Sequence, residues 1–200
     1  MASRTEIANL ALGHFGQSRI TDISQNSPSA EAVRDCWTIA RDATLRAHHW
    51  NFATARAELS ALVDAPLFEW SYQYQLPADY RRLVSVNDIL AGTRDCPFVV
   101  EGNRLLSDEA TAKIVYVKNV EAPESWDSEF VMAFSFQLAE LIAPRLSNDG
   151  GYAARIAERK QGAGITAMVS DATETRPLVR KATEGSEYFA ARAGWHPDIG

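Results

Sequence analysis

The first residues of the chain place apolar side chains at the spacing of a helix. Ser3 followed by Glu6 is the pattern of a capping box, and it predicts where this helix begins. Gly16 is a natural stop for it. The stripe consists of Ile7, Leu10, Ala11, His14 and Phe15. We therefore expect a short helix with defined ends.

A second helical pattern follows a polar loop. Ser27 before Pro28 predicts a helix cap and first helical residue, because proline is favoured at that position. We expect this helix to end at about His48 or Trp50. One of its faces carries Val33, Cys36, Trp37, Ala40, Ala43, Thr44 and Ala47.

The pattern changes to β-type runs between residues 52 and 120. The runs are Phe68–Leu76, Leu83–Leu90, Phe98–Glu101 and Ile114–Val117. Gly102 and Asn103 tolerate positive φ, so the segment 101–104 predicts a hairpin turn. We expect one antiparallel sheet with short loops.

Helical spacing then returns in two segments. The first stripe is Phe130, Phe134, Leu138, Leu141 and Ile142, and the second is Ala153, Ile156, Ala157, Lys160, Gly164, Ala167, Met168 and Asp171. Pro144 should end or kink the first segment. Gly162 and Gly164 should either allow close helix approach or break the second.

The order of these patterns predicts an α+β fold. It is a bundle of about four helices with an antiparallel β domain inserted between the second and third helices. We expect the bundle to comprise residues 1–50 and 122–176, and the β domain to comprise 51–121. An extended C-terminal arm takes up 177–200. The helices should share one core, separate from that of the β domain.

Composition limits the function classes. The 200 residues are 46% hydrophobic, which is enough to fill a globular core, and a net charge of −6 disfavours a general phosphate-binding surface. Cys36 and Cys96 have neither disulfide-type nor metal-type spacing, so reduced thiols are expected. Neither a signal peptide nor an apolar run of bilayer length is present, so export and membrane insertion are not expected.

No motif of a known catalytic or cofactor site stands out. Phosphate-binding glycine loops, nucleophile elbows, paired Cys-x-x-Cys and His-Glu-x-x-His are all missing from the sequence. His48 and His49 are adjacent, so on a helix their rings point about 100° apart and cannot easily share a metal. We expect them to cap helix carbonyls and pack on Trp50. No catalytic residue, metal or cofactor is expected.

Three charged positions have more than one interpretation. Asp79 with Arg81 and Arg82 could form an acid with two anion binders, but a turn aspartate beside surface or cross-strand arginines is favoured. Glu140 lies on the flank of an apolar helix, and an ion pair at a helix contact is favoured over a general acid.

The tail Leu178–Gly200 carries three aromatic residues without an evident partner segment. Tyr188, Phe189 and Trp195 are large anchors of the kind that bury at interfaces. We expect an arm that docks on another protein or a neighbouring protomer. The alternative is that it folds back over its own domain.

These pieces resemble one known family. Trp50-x-Phe52-Ala53 directly follows the second helix, Tyr72 to Arg82 reads YQYQLPADYRR, and an Ala- and Leu-rich helix pair comes later. Over about residues 6–171 this order is similar to the tail tubular protein A family of short-tailed phages. Members of that family are head-to-tail adaptors, also called gatekeepers.

The resemblance implies a structural role without catalysis. The family forms a dodecameric ring between the portal protein and the tail nozzle protein, and DNA passes through the channel without sequence-specific binding. It also implies a place in the virion neck after synthesis in the host cytoplasm. Tyr188, Phe189 and Trp195 are then candidate anchors on the portal or a neighbouring protomer.

Two alternatives stay open. One is a small soluble enzyme or ligand-binding module with a site near His48, His49, Trp50, Tyr72 and Tyr74, which would need a pocket with convergent polar groups. The other is a tail-side structural protein that contacts only the nozzle. The pattern does not decide which surface faces the portal.

Overall fold

A computed structural model of the chain describes residues 3–93, 96–147, 151, 155–156 and 158–162. Helices α1 (Arg4–Gly13) and α2 (Pro28–Ala47) precede the strands, and α3 (Ser128–Leu146) follows them. Residues 155–156 and 158–162 are again helical. The fold is therefore α+β, with the β region inserted between the second and third helices, as the sequence predicts.

The helix starts follow from local capping chemistry. The Ser3 hydroxyl accepts a hydrogen bond from the Glu6 backbone N–H (3.2 Å), and the Ser3 N–H donates to the Glu6 carboxylate (2.6 Å). This is the predicted capping box. Ser27 caps α2 through the Ala30 N–H (3.3 Å), and Pro28 is its first residue. Both predicted starts are confirmed.

Proline and glycine residues bear on where the later helices end. α3 does not end at Pro144 but continues to Leu146, and the Ser147 N–H still donates to the Ala143 carbonyl (2.9 Å). Proline in the last turn removes only one internal hydrogen bond, which a helix end tolerates. Gly162 is helical, and a Cβ there would meet open space, so this glycine gives no close approach to another described element. Gly164 lies outside the described residues.

The β region forms two antiparallel sheets, whereas one was expected. The strands are β1 (Thr54–Leu59), β2 (Tyr72–Gln75), β3 (Tyr80–Val86), β4 (Ile89–Leu90), β5 (Phe98–Glu101), β6 (Arg104–Ser107) and β7 (Ala112–Lys118). The larger sheet has the order β1-β7-β3-β4, and the smaller has β2-β6-β5. The expected hairpin turn at Gly102 joins β5 to β6, with φ of 57°.

Two of the expected strand runs are shorter than their apolar patterns. Asn87 and Asp88 adopt positive φ (47° and 67°), so the run 83–90 folds into a hairpin of β3 and β4. The run 68–76 contributes only its second half to β2, because residues 61–71 form a loop.

The larger sheet separates two hydrophobic cores. Alternate side chains of a strand point to opposite faces. On β7, Val117 belongs to the helical core, and Tyr116 belongs to the core between the sheets. On β3, Val84 and Leu83 divide in the same way. The smaller sheet is therefore the layer farthest from the helices.

The helices share one core, as expected. Buried side chains from α1, α2, α3 and the last helical segment form a single cluster that includes Leu12, Trp37, Phe134 and Ile156. Tyr74, Leu105 and Ile114 belong to the second cluster between the sheets. Cys36 and Cys96 are half-buried free thiols.

Candidate interaction surfaces

The predicted anchor residues cannot be placed. Tyr188, Phe189 and Trp195 lie outside the described residues, as does the whole segment 163–200. The docking arm therefore stays a prediction.

The histidine pair is built into the junction after α2. The His48 ring packs edge-on against Trp50, with 5.0 Å between ring centroids. His49 Nε2 lies 2.9 Å from the Thr54 hydroxyl. The packing on Trp50 is confirmed for His48. At the end of α2, the Arg82 Nη1 donates to the carbonyls of Arg46 (3.4 Å) and Ala47 (3.1 Å).

The two tyrosines of the alternative ligand site lie on β2 of the smaller sheet, away from the helical core that contains Trp50. Tyr74 is fully buried between the sheets, its hydroxyl donates to the Glu109 carbonyl, and burial raises the pKa of that hydroxyl. Trp50 is buried in the helical core. Tyr72 is partly exposed on β2. Trp50 and Tyr74 thus lie in different cores rather than around one pocket.

Asp79 and the neighbouring arginines do not converge on one point. The Asp79 carboxylate accepts a hydrogen bond from the Tyr116 hydroxyl (3.1 Å). The pKa of the Tyr116 hydroxyl is raised, mainly by burial and to a smaller extent by this carboxylate. Arg81 pairs with Asp42 on α2 (3.5 Å). Since Arg82 caps α2, the three side chains serve structural contacts, in agreement with the favoured interpretation.

Glu140 forms the expected ion pair at a helix contact. Its carboxylate lies 2.6 Å from the Lys160 ammonium group, and both side chains are about one-third exposed. The pair joins α3 to the last helical segment. This geometry supports the structural interpretation over a general acid.

Among the residues that the structure describes, the most exposed large apolar side chains lie on the loop 61–71, between β1 and β2. The relative exposure is 102% for Val63, 97% for Leu67 and 73% for Phe68. Single exposed apolar residues are ordinary, but three large ones on a short loop make it a candidate contact surface. We call this segment the apolar loop.

The apolar loop is tied to the smaller sheet at several points. The Leu62 N–H donates to the Gln73 carbonyl (2.9 Å), and the Gln73 side chain donates to the Asp64 carbonyl (2.6 Å). The Ser71 N–H and hydroxyl both donate to the Asp108 carboxylate (2.9 Å each). These bonds hold the loop in place while its apolar side chains point to solvent. A surface ordered in advance loses less entropy on binding.

A shallow cavity of about 240 Å³ lies under the apolar loop. It is lined on one side by Pro66, Leu67, Phe68, Glu69 and Trp70, and on the other by Gln73, Glu101, Arg104 and Leu106. Sequence reasoning missed this surface because Phe68 and Trp70 looked like the start of a strand. Asp64 and Pro66 are residue types that favour turns, and they were the available signal of a loop.

Within the described ranges, no group of three or more His, Cys, Asp or Glu side chains is arranged to hold a metal ion. No helix in the part of the chain that the structure describes is both long and apolar enough to span a bilayer. Comparison with protein-family models finds no match to this chain, and comparison with curated proteins finds none.

Proposed function

We propose that this chain is a structural adaptor of a short-tailed phage particle, a ring component that joins the portal protein to the tail nozzle protein. The apolar loop is the observation that carries the proposal. It presents Val63, Leu67 and Phe68 to solvent on the sheet layer farthest from the helices. A monomeric protein rarely exposes such a patch, whereas an assembly component covers it with a partner.

Two further features support this role. The insertion of a β region between the second and third helices agrees with the fold implied by the resemblance to the tail tubular protein A family. The net charge of −6 suits a channel wall that does not hold the phosphate backbone, so DNA could slide past. In this proposal the chain forms a dodecamer in the virion neck and has no catalytic role.

The layered arrangement gives such an adaptor two contact regions. The apolar loop lies on the smaller sheet, and the helices lie on the other side of the larger sheet. One region would meet the nozzle or a neighbouring protomer, and the other would meet the portal. We assign the proposed C-terminal anchors Tyr188, Phe189 and Trp195 to the portal or a neighbouring protomer.

The test compares assembly of two variants. Leu67→Ser with Phe68→Ser should keep the wild-type circular dichroism and melting temperature, because both side chains are exposed. It should lose co-sedimentation with the nozzle or the portal. Ile39→Ser is the matched control, since Ile39 is 61% exposed on α2 and outside the loop. If the loop variant assembles with both partners like the wild type, the apolar loop is not the contact surface. An electron microscopy reconstruction of the particle neck would then decide whether the chain is present there.

A further inference from the structure

The outer edge of β1 is not covered by any other strand that the structure describes. β1 ends the larger sheet on one side, and on the other side it pairs with β7 along its whole length. Arg56 and Glu58 are exposed on this strand. Alternate residues pack against the core between the sheets: Ala55, Ala57 and Leu59. The strand is therefore held by the core on one face and carries two opposite charges on the other.

The register of the sheet shows which backbone groups of β1 point outward. On β7, the Lys113 carbonyl accepts a hydrogen bond from a backbone N–H of the β3–β4 turn (2.9 Å), so the Lys113 backbone faces β3. Neighbouring residues of a strand direct their backbone groups to opposite sides, so Ile114 faces β1, where its partner is Ala57. The N–H and C=O groups of Arg56 and Glu58 therefore point away from β7, at the open edge. Such an edge is a template for another strand.

The charges along this edge favour a second copy of the chain as that strand. Two β1 strands related by a two-fold axis run antiparallel, and their outward residues then face each other. With the axis at Ala57, Arg56 of each copy lies opposite Glu58 of the other, and opposite charges in such cross-strand pairs attract. Moving the axis by one residue toward either end would place two arginines or two glutamates opposite each other, which is destabilising. The charges therefore select one register.

We propose that β1 pairs with β1 of a second copy, antiparallel and centred on Ala57, so that two larger sheets become one continuous sheet. In each pair of Arg56 with Glu58, the backbone N–H of either residue donates to the carbonyl of the other. Pairing along one six-residue strand buries little area, so we expect a reversible dimer with a Kd of about 0.1 mM.

The proposal stands independently of the adaptor function. A two-fold pair cannot lie within a ring whose protomers all point the same way, because the contacts of such a ring join unlike surfaces. The dimer is therefore a form of the free protein, which would separate before a ring closed. It is tested on the isolated full-length protein, so the outcome does not depend on the portal or the nozzle.

Exchange of the charges tests the pairing by sedimentation equilibrium. Arg56→Glu should weaken dimerisation about tenfold or more, because each cross-strand pair then contains two carboxylates. Glu58→Arg should do the same by opposing two guanidinium groups. The double variant, Arg56→Glu with Glu58→Arg, restores opposite charges and should dimerise like the wild type. An equimolar mixture of the two single variants should form a mixed dimer, since one copy supplies the carboxylates and the other supplies the guanidinium groups.

Overall charge and folding are controlled separately. Arg19→Glu makes the same change of charge at an exposed residue outside the sheets and should leave dimerisation unchanged. Glu58→Arg also places a positive charge opposite Lys113 of its own chain, so circular dichroism and melting temperature first establish that each variant is folded. If Glu58→Arg does not fold, Arg56→Glu and cysteine crosslinking decide the question.

A cysteine at the axis tests the register directly. Opposite residues of a non-hydrogen-bonded pair have Cα atoms about 4.5 Å apart, which a disulfide can bridge. Ala57→Cys should therefore form a disulfide-linked dimer on mild oxidation. Ala55→Cys is the matched control, because position 55 would face Leu59 of the other copy. It should crosslink no more than the wild type, in which Cys36 and Cys96 set the background.

The outcomes separate the β1 edge from other surfaces. Rescue by the double variant or by the mixture supports the proposal, and crosslinking at position 57 supports its register. A protein that stays monomeric up to about 1 mM overturns the proposal. A dimer that Arg56→Glu leaves unchanged, or that crosslinks at position 55 rather than 57, also overturns it. Leu67→Ser with Phe68→Ser should dimerise like the wild type, and loss of the dimer in that variant would assign self-association to the apolar loop instead.

Discussion

At the residue scale, aromatic side chains dominate the helical core. Phe134 is fully buried and contacts Trp37 and Trp126, with ring centroids 4.8 Å and 5.0 Å away. Phe130 extends the cluster to Trp50 at 5.0 Å. Such pairs contribute beyond their buried area. The cluster therefore links α2 and α3 to the segment that follows α2 and to the segment that precedes α3.

We predict that Phe134→Ala lowers the free energy of unfolding by about 3–5 kcal/mol, because it leaves a cavity that the surrounding rings fill poorly. Urea unfolding followed by tryptophan fluorescence measures this. Met132→Ala on the same helix is the control, and it should cost much less because Met132 is 42% exposed. Similar losses in both variants would contradict the central role of the aromatic cluster.

His14 should make stability depend on pH. The pKa of His14 is lowered below its usual 6.5, mainly by burial and to a smaller extent by the positive charge of Arg159. Between the folded pKa and 6.5 the unfolded chain binds more protons, so stability rises with pH through that window and falls as the solution is acidified. The difference in unfolding free energy between wild type and His14→Gln should shrink from about pH 7 to about pH 5. Parallel curves for the two proteins would show that His14 does not contribute.

At the element scale, two glycines should respond in opposite directions to alanine. Gly102 turns the β5–β6 hairpin with φ of 57°, and Gly13 is the last residue of α1. A Cβ at either position would meet open space, so only backbone preference decides the effect. Gly102→Ala should cost about 1–2 kcal/mol, and Gly13→Ala should gain up to about 1 kcal/mol. Thermal unfolding of both variants checks the signs, and equal signs would refute the argument.

The elements that sequence predicts well are those with local causes. The capping box at Ser3, the proline start at Pro28 and the turn at Gly102 each depend on neighbouring residues, and each is present. The division into two sheets and the exposure of Phe68 depend on which distant strands pair. Residue type alone does not distinguish an apolar side chain in a loop from one in a strand. Pro66 indicated a loop, but the exposure of its apolar side chains could not be predicted from the sequence pattern.

At the scale of the whole molecule, charged side chains join the helices to the larger sheet. Arg41 is buried on α2 and pairs with Asp42 (3.0 Å) and with Glu121 after β7 (3.5 Å). Asp42 also pairs with Arg81 of β3 (3.5 Å). Removing one partner of a buried charge is costly, so this network favours one orientation of the β region. A fixed orientation suits a component with contact regions on both sides.

The proposed C-terminal arm gives the last prediction. Each residue fixed on docking loses about 1–2 kcal/mol of backbone entropy, so an arm of this length is held only if several large apolar groups are buried against a partner. We expect the segment from about Leu178 onward to be flexible in the free protein. It should become ordered on the portal or a neighbouring protomer, with Tyr188, Phe189 and Trp195 as anchors.

Deleting Leu178–Gly200 should leave the helices and sheets folded while abolishing attachment to the portal. Thermal unfolding and portal co-sedimentation are compared for the full chain, the truncation and a triple alanine variant of the three aromatic residues. If the truncated protein unfolds, the arm belongs to its own core. If the truncation or the triple variant still attaches normally, the anchors lie elsewhere, and the apolar loop becomes the first surface to test against the portal.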